Sequence, residues 1–343
     1  MDTIQTTPII REDTVIFEWR GVKAPQLIGD FNSWDSGRAD TLAPAGKDLW
    51  RCSLNFPTDA YIEYIYLLDG KRLLDPNNPR RVYNGINNDN NYFYMPEKLP
   101  TPLASRIRGT LHGELKHLKA DARYLLGGED HPIRLFQRDV LFYQPPVSQP
   151  APLLVVYDGP DYLRQAKLPL IIDNLIAQKR ICPVALVMLA HGKQNRFIEY
   201  ACSDVTLGFL QYNILPLARK ELNLKSAEKT PGAYGVMGAS MGGLMALYTG
   251  LRFPDIFGKV LSQSGAFYPE FVVKNLIQAG LGKQLRIWMD VGTLEYLFPY
   301  NQQMVALLNQ HGYDVAYQEY HGGHNYTSWR DDLATGIECL FGR

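Results

Sequence analysis

Ser240 stands at the centre of Gly238-Ala239-Ser240-Met241-Gly242-Gly243, entered from the apolar run Tyr234 to Met237 and left through the helix-forming stretch Leu244 to Tyr248. A serine on a sharp strand-to-helix turn takes a strained backbone, so the residues two before and two after it must carry almost no side chain. Gly238 and Gly242 meet that demand, and Gly243 lets the departing helix pack closely. A serine hydroxyl is a poor nucleophile at neutral pH, so the chain must also provide a base and a group that orients the base. The chemistry would be acyl transfer through a covalent serine intermediate; the plainer alternative is a glycine-rich turn with an idle serine.

Three histidines follow Ser240: His311, His321 and His324. His311 precedes Gly312 at the end of a helical stretch, where a cation favours the helix dipole, and is expected to cap it. His321 and His324 share Tyr320-His321-Gly322-Gly323-His324-Asn325, just after the strand-like run Val315 to Tyr320. Paired glycines let a loop swing a ring over the nucleophile, and His324 follows them directly. His324 is therefore the expected base, with His321 the alternative.

The elements that must position these groups change character along the chain. From Thr14 to Tyr94, short alternating runs (Val15 to Trp19, Gln26 to Ile28, Trp50 to Leu54, Tyr61 to Leu67, Tyr92 to Tyr94) are broken by turn clusters such as Gly29-Asp30 and Asp69-Gly70. That pattern predicts a small all-β sandwich over residues 1–96. Pro96, Pro100 and Pro102 mark a linker at 97–105, and residues 106–343 read as an α/β domain. There, apolar runs of strand length (Leu153 to Tyr157, Val184 to Leu189, Tyr234 to Met237, Lys259 to Ser262, Leu285 to Val291) alternate with helical stretches, among them Leu168 to Gln178, Val205 to Leu222 and Asn301 to Gln310. This predicts a mostly parallel central sheet covered on both faces, with reactive groups at the carboxyl ends of its strands.

In the α/β-hydrolase plan the order along the chain is serine, acid, histidine. The strand Leu285 to Val291 ends at Gly292, and Glu295 follows three residues later in the loop where the acid is expected. Asp290, inside the strand, is the competitor, and a Ser-His dyad without a carboxylate is a further alternative. The oxyanion formed on ester attack needs preorganised donors. One is expected from the backbone N–H of Met241; the second from Asp158-Gly159-Pro160-Asp161, where Pro160 has no N–H and Gly159 is the choice over Asp161. Tyr162, His191, Arg196 and Trp329 are candidate substrate contacts, each with a packing or structural alternative. For Arg196 that alternative is an ion pair with Glu199.

Composition narrows the field. Thirty-five Lys and Arg balance thirty-five Asp and Glu over 343 residues, which removes the broad electrostatic footprint of a nucleic-acid or anionic-membrane binder. No basic and apolar leader pattern is visible in Met1-Asp2-Thr3-Ile4-Gln5 and no apolar run reaches a membrane span, so a cytoplasmic protein is expected. Cys52, Cys182, Cys202 and Cys339 are far apart and suggest neither disulfides nor a zinc site. Neither metal nor organic cofactor is expected; the expected partners are a small-molecule ester and a second copy of the chain.

Taken together, these residues resemble the Putative esterase family of α/β-hydrolases, that of esterase D and the enterochelin (enterobactin) esterases. The resemblance is carried by Asp158-Gly159, Asp173-Asn174-Leu175-Ile176, Arg196-Phe197-Ile198-Glu199-Tyr200, Leu215-Pro216, the nucleophile segment, Phe253-Pro254-Asp255-Ile256-Phe257, Leu261-Ser262-Gln263-Ser264-Gly265 and Gly322-Gly323-His324 through Trp329-Arg330. It implies Ser240 as nucleophile, His324 as base, and an acidic position that falls on Glu295. The N-terminal part looks like the immunoglobulin-like module of such enzymes and like glycogen-binding sandwiches, on Gly29-Asp30-Phe31-Asn32-Ser33-Trp34, Asp69-Gly70 and Asp75-Pro76. Lys71 and Arg72 stand where those sugar binders carry a stacking aromatic, leaving Trp34 alone, so a structural or substrate-covering role is expected. The expected activity is serine carboxylesterase, on a siderophore lactone or related ester, with feruloyl or acetyl carbohydrate esters as the alternative. A glucan-binding protein with an inactive hydrolase domain is the alternative of another class.

Overall fold

The computed structural model describes residues 7–83, 85, 88–123, 125, 137–268 and 271–343, so the opening Met1 to Gln5 read above lies outside the described residues. The chain divides into two compact units. One comprises Met1–Pro100, Gly292–Phe298 and Glu319–Ser328; the other comprises Thr101–Val291, Pro299–Gln318 and Trp329–Arg343.

The first unit contains two antiparallel sheets. Ile9–Arg11, Thr14–Arg20, Leu49–Asn55 and Ala43–Gly46 form one, in that spatial order. The other runs Asp40–Thr41, Gln26–Gly29, Tyr61–Leu68, Asp89–Tyr94 and Arg81–Tyr83, with Lys71–Leu73 also on Tyr61–Leu68. Alternation sends Val15 and Phe17 inward from Thr14–Arg20, where they join Leu27, Ile62, Tyr64 and Phe93 in one apolar core. Phe17 meets Tyr64 edge-on at 5.0 Å, the arrangement that ring quadrupoles favour. The strands Ala43–Gly46, Lys71–Leu73 and Arg81–Tyr83 had no alternating pattern to betray them. They are short and mostly exposed, so backbone pairing rather than burial makes them strands.

The second unit is built on an eight-stranded sheet: β1 (Glu114–Asp121), β2 (Gln137–Gln144), β3 (Leu153–Val156), β4 (Ala185–Leu189), β5 (Tyr234–Ala239), β6 (Phe257–Gln263), β7 (Arg286–Gly292) and β8 (Asp314–Tyr320). Their spatial order is β1-β2-β4-β3-β5-β6-β7-β8. β2 is antiparallel to β1 and β4, while β4, β3, β5, β6 and β7 are parallel neighbours. Every residue of β3, β4 and β5 is buried, the reason those runs are continuously apolar rather than alternating.

The stretch Val205 to Leu222 is not one regular helix. Helices Asp204–Phe209 and Leu215–Glu221 flank a π-helical turn at Leu210–Ile214, and Pro216, which cannot donate to the preceding turn, sits at the start of the second helix. A 16-residue helix at Tyr326–Phe341 follows the histidine segment and was not anticipated from the sequence. Among the described residues no helix is long and apolar enough to cross a membrane, and no disulfide joins the four cysteines.

Candidate active site

Ser240 is placed by the carboxyl end of β5 and the helix Met241–Arg252, at φ 58° and ψ −124°. A non-glycine residue at such angles is strained and persists only where its surroundings hold it. Here they do: its N–H donates to Gln263 O at 2.9 Å, and its carbonyl accepts from Ala266 N at 2.9 Å and from Gly243 N at 3.0 Å. The flanking glycines are sterically required. A Cβ on Gly238 would lie 2.5 Å from the carbonyl carbon of Gly242, and one on Gly243 would lie 2.6 Å from Ser262 Oγ.

β3 is the parallel neighbour of β5, and it leads into the helix Gly159–Arg164 just as β5 leads into Met241–Arg252. Gly159 and Met241 are thus each the first residue of a helix, whose N–H has no intrahelical acceptor. Pro160 follows Gly159 at a position where a missing N–H costs the helix nothing. Gly159 must itself be glycine, because a Cβ there would sit 2.4 Å from the backbone of Met188. Before it, Asp158 takes a left-handed conformation (φ 54°). Arg196 clamps the Asp158 carboxylate from two nitrogens, Nε at 2.8 Å and Nη2 at 2.6 Å, and Tyr200 OH accepts its N–H at 3.2 Å.

Arg196 and Glu199 do not pair with each other. Glu199 is gripped bidentately by Arg138 at 2.8 and 2.6 Å and accepts the Gly192 N–H at 2.9 Å, with both charged side chains buried. The two carboxylates therefore hold separate loops, after β3 and after β4. The ion pair expected between Arg196 and Glu199 does not form; Asp158 and Arg138, distant in sequence, are the partners.

In the other unit, His324 Nδ1 is hydrogen-bonded to Glu295 Oε2, and Glu295 Oε1 accepts the Gly292 N–H at 3.0 Å. Glu295 is buried, while the His324 side chain keeps 23% of its exposure. The Tyr296 ring lies 5.9 Å from the imidazole. His321, by contrast, turns outward to Asp59 at 2.6 Å. Asp290 is fully buried and accepts from Trp288 Nε1 at 2.9 Å and Gln263 Nε2 at 3.2 Å. Its position is that of a brace between β6 and β7.

The remaining sequence candidates fall in different places. Tyr162 is fully buried with its hydroxyl donating to Gln263 Oε1 at 2.9 Å, and Trp329 is buried with its indole N–H on Ser264 Oγ at 2.9 Å. Both rings lie inside the framework, because each polar tip finds its partner there. His191, after β4, accepts the Lys193 N–H on Nδ1 at 2.9 Å and lies 3.9 Å from Asp161. Trp34 is covered by the guanidinium of Arg72 at 5.6 Å and donates to Asp30 Oδ1 at 3.0 Å.

Two further carboxylates of this unit go unmarked in the sequence. Asp30 and Glu63 are buried, with Asp30 Oδ2 accepting the Glu63 N–H at 2.8 Å. Burial pushes Asp30 up to about 7, against backbone and Trp34 hydrogen bonds that pull it down, and pushes Glu63 up to about 8, with Asp30 adding to the rise. Nothing local in the sequence separates these acids from any other turn or strand acid. Among the described residues, no group of three or more His, Cys, Asp or Glu side chains is placed to hold a metal ion.

A model of the family described as Putative esterase matches residues 136–339. The iron(III) enterobactin esterase of Dickeya dadantii (strain 3937) is 30% identical over 227 residues, covering 60% of this chain and 52% of that one. The chain thus spans about half the length of the curated relatives it matches. Among solved structures, an enterobactin esterase from Shigella flexneri, crystallised in the presence of enterobactin, superposes with a TM-score of 0.76 at 22% identity, covering 95% of this chain and 92% of that chain. A ferulic acid esterase superposes with a TM-score of 0.56 at 15% identity, over 67% of this chain and 98% of its own. Both likenesses are of fold: an α/β-hydrolase sheet, preceded here by an all-β region.

Proposed function

The chain belongs to the Putative esterase family, and from that membership we propose that it is a serine carboxylesterase acting in the cytoplasm on a siderophore lactone or related small ester. Ser240 Oγ attacks the ester carbonyl carbon while His324 takes its proton. Glu295 holds Nδ1 of His324 and stabilises the imidazolium that forms. The N–H groups of Met241 and Gly159 receive the negative charge on the carbonyl oxygen. His324 then gives its proton to the departing alcohol, leaving acyl-Ser240. A water molecule, deprotonated by His324, releases the acid and restores the serine. No step calls on a metal or organic cofactor, and a second copy of the chain is the one macromolecular partner proposed.

The observation that carries the reading is the backbone of Ser240, held at φ 58° and ψ −124° at the end of β5. Strain of that kind is maintained against a steady cost and is found where a side chain must be presented for reaction. The substrate class follows the relatives named as iron(III) enterobactin esterases. The covering of Trp34 by Arg72 weighs against a glucan-binding role for the sandwich.

Hydrolysis of a catecholate trilactone beside methyl ferulate tests the assignment. The trilactone is expected to turn over faster, and Ser240→Ala is expected to abolish both activities. Turnover of methyl ferulate alone moves the substrate to feruloyl esters. Failure of a fluorophosphonate to label Ser240, with retention of the protein on glycogen, overturns the enzyme reading itself.

A further inference from the structure

We infer that Asp30 is a positioning residue for His324, fastening the residue on either side of the imidazole; this rests on the esterase reading above. Gly323, immediately before His324, lies flush on the Asp30 carboxyl group: a Cβ at Gly323 would stand 2.1 Å from both Cγ and Oδ1 of Asp30. Asn325, immediately after His324, donates from Nδ2 to Asp30 Oδ2 at 3.3 Å. Its own Oδ1 accepts the Ser328 N–H at 2.9 Å, which sets the direction of the amide. One side chain, 295 positions away from Asn325 in sequence, therefore supports both neighbours of the base.

The loop needs such support. Two successive glycines, Gly322 and Gly323, give it more backbone freedom to lose than any other pair of residues would. Backbone bonds hold its first half: Tyr61 N donates to His321 O at 3.0 Å and Leu294 N to Gly322 O at 3.1 Å. Beyond Gly322, Asp30 meets the chain from the sandwich. Asp30 is itself immobilised by the Glu63 N–H at 2.8 Å and the Trp34 indole N–H at 3.0 Å. Burying a carboxyl group is costly, and its burial at 1% exposure is matched by this set of donors. Within this unit the sandwich thus does more than accompany the histidine segment; it determines where the imidazole sits.

The experiment compares Asp30→Ala, Asp30→Asn and Phe93→Leu in the full chain. Phe93→Leu loosens the sandwich core without touching the loop, and so controls for lost stability. Two readouts are taken where all three are fully folded: steady-state ester hydrolysis, and hydrogen exchange of the backbone amides from Gly322 to Asn325. Asp30→Ala is expected to lower kcat about tenfold or more with KM within about twofold, since small misplacements of a reacting group cost that much. Asp30→Asn keeps an oxygen for Glu63 N–H and Asn325 and is expected to recover part of the loss. Loop amides are expected to exchange faster in Asp30→Ala than in Phe93→Leu. Equal exchange in those two variants, or equal kcat, overturns the inference. A wild-type chain with no Ser240-dependent hydrolysis sinks the esterase reading instead, and the exchange comparison then still decides whether Asp30 orders the loop.

Discussion

Glu295 touches the histidine loop and its own strand at once: one carboxylate oxygen is bonded to His324 Nδ1, and the other accepts the N–H of Gly292 at the end of β7. Glu295→Gln is therefore expected to keep the backbone contact and lose the stabilised imidazolium. A fall in kcat of about a hundredfold or more is expected, with little change in folding. Asp290→Asn is expected to do the reverse, lowering Tm through its indole and amide partners while the folded fraction keeps most of its kcat. Steady-state rates and thermal melts of the two variants check this; exchange of the two outcomes would make Asp290 the triad acid.

Pro160 occupies a helix position whose N–H would have no intrahelical acceptor, next to Gly159, whose N–H is the proposed donor. Pro160→Ala is expected to leave kcat within about twofold. A large rise would mean that the proline withholds a donor from the oxyanion.

Two buried or half-buried pairs hold the loops beside the nucleophile, and they should respond differently. Arg138→Met strands Glu199 inside the protein, an uncompensated charge that is expected to cost about 3–5 kcal/mol in chemical denaturation while sparing kcat in the folded fraction. Arg196 is 21% exposed at its side chain, so solvent reaches the gap it leaves, and Arg196→Met should cost less. Because Arg196 sets Asp158, the residue before Gly159, its loss should lower kcat.

Asp30 and Glu63 are raised to about 7 and about 8 in the folded chain, above the ordinary carboxylate range. Between about pH 4 and pH 8 the folded state holds protons that the unfolded chain has released, so this pair's contribution to stability falls as pH rises. That is the opposite sign to a salt-bridged aspartate. The wild type is expected to lose on the order of 1 kcal/mol per pH unit from each titrating proton in that window. Glu63→Gln is expected to flatten the dependence. Denaturation midpoints at intervals from pH 5 to pH 8 give the slope, and equal slopes for both proteins would refute the assignment.

The nucleophile was legible because its signature is local. Glycines two before and two after Ser240, an apolar run entering and a helix leaving are all consequences of one strained turn, and each sits within a few residues of it. The same holds for Thr14–Arg20, whose inward Val15 and Phe17 write burial as a period of two, and for the glycine pair before His324; Tyr61–Leu68, buried at six successive residues, does not alternate. The edge strands were not legible, since exposed backbone pairing leaves no pattern in side chains.

By itself, then, the sequence determined the elbow at Ser240, the α/β-hydrolase class of the larger region and the histidine loop. Tertiary structure alone decided that Glu295 rather than Asp290 meets His324, that Arg196 pairs with Asp158 and Arg138 with Glu199, and that Asp30 underlies Gly323 and Asn325. The reason is physical. A hydrogen bond is specified by the approach of two atoms, and where the chain folds back over tens or hundreds of residues, no spacing in the sequence records which carboxylate reaches which donor.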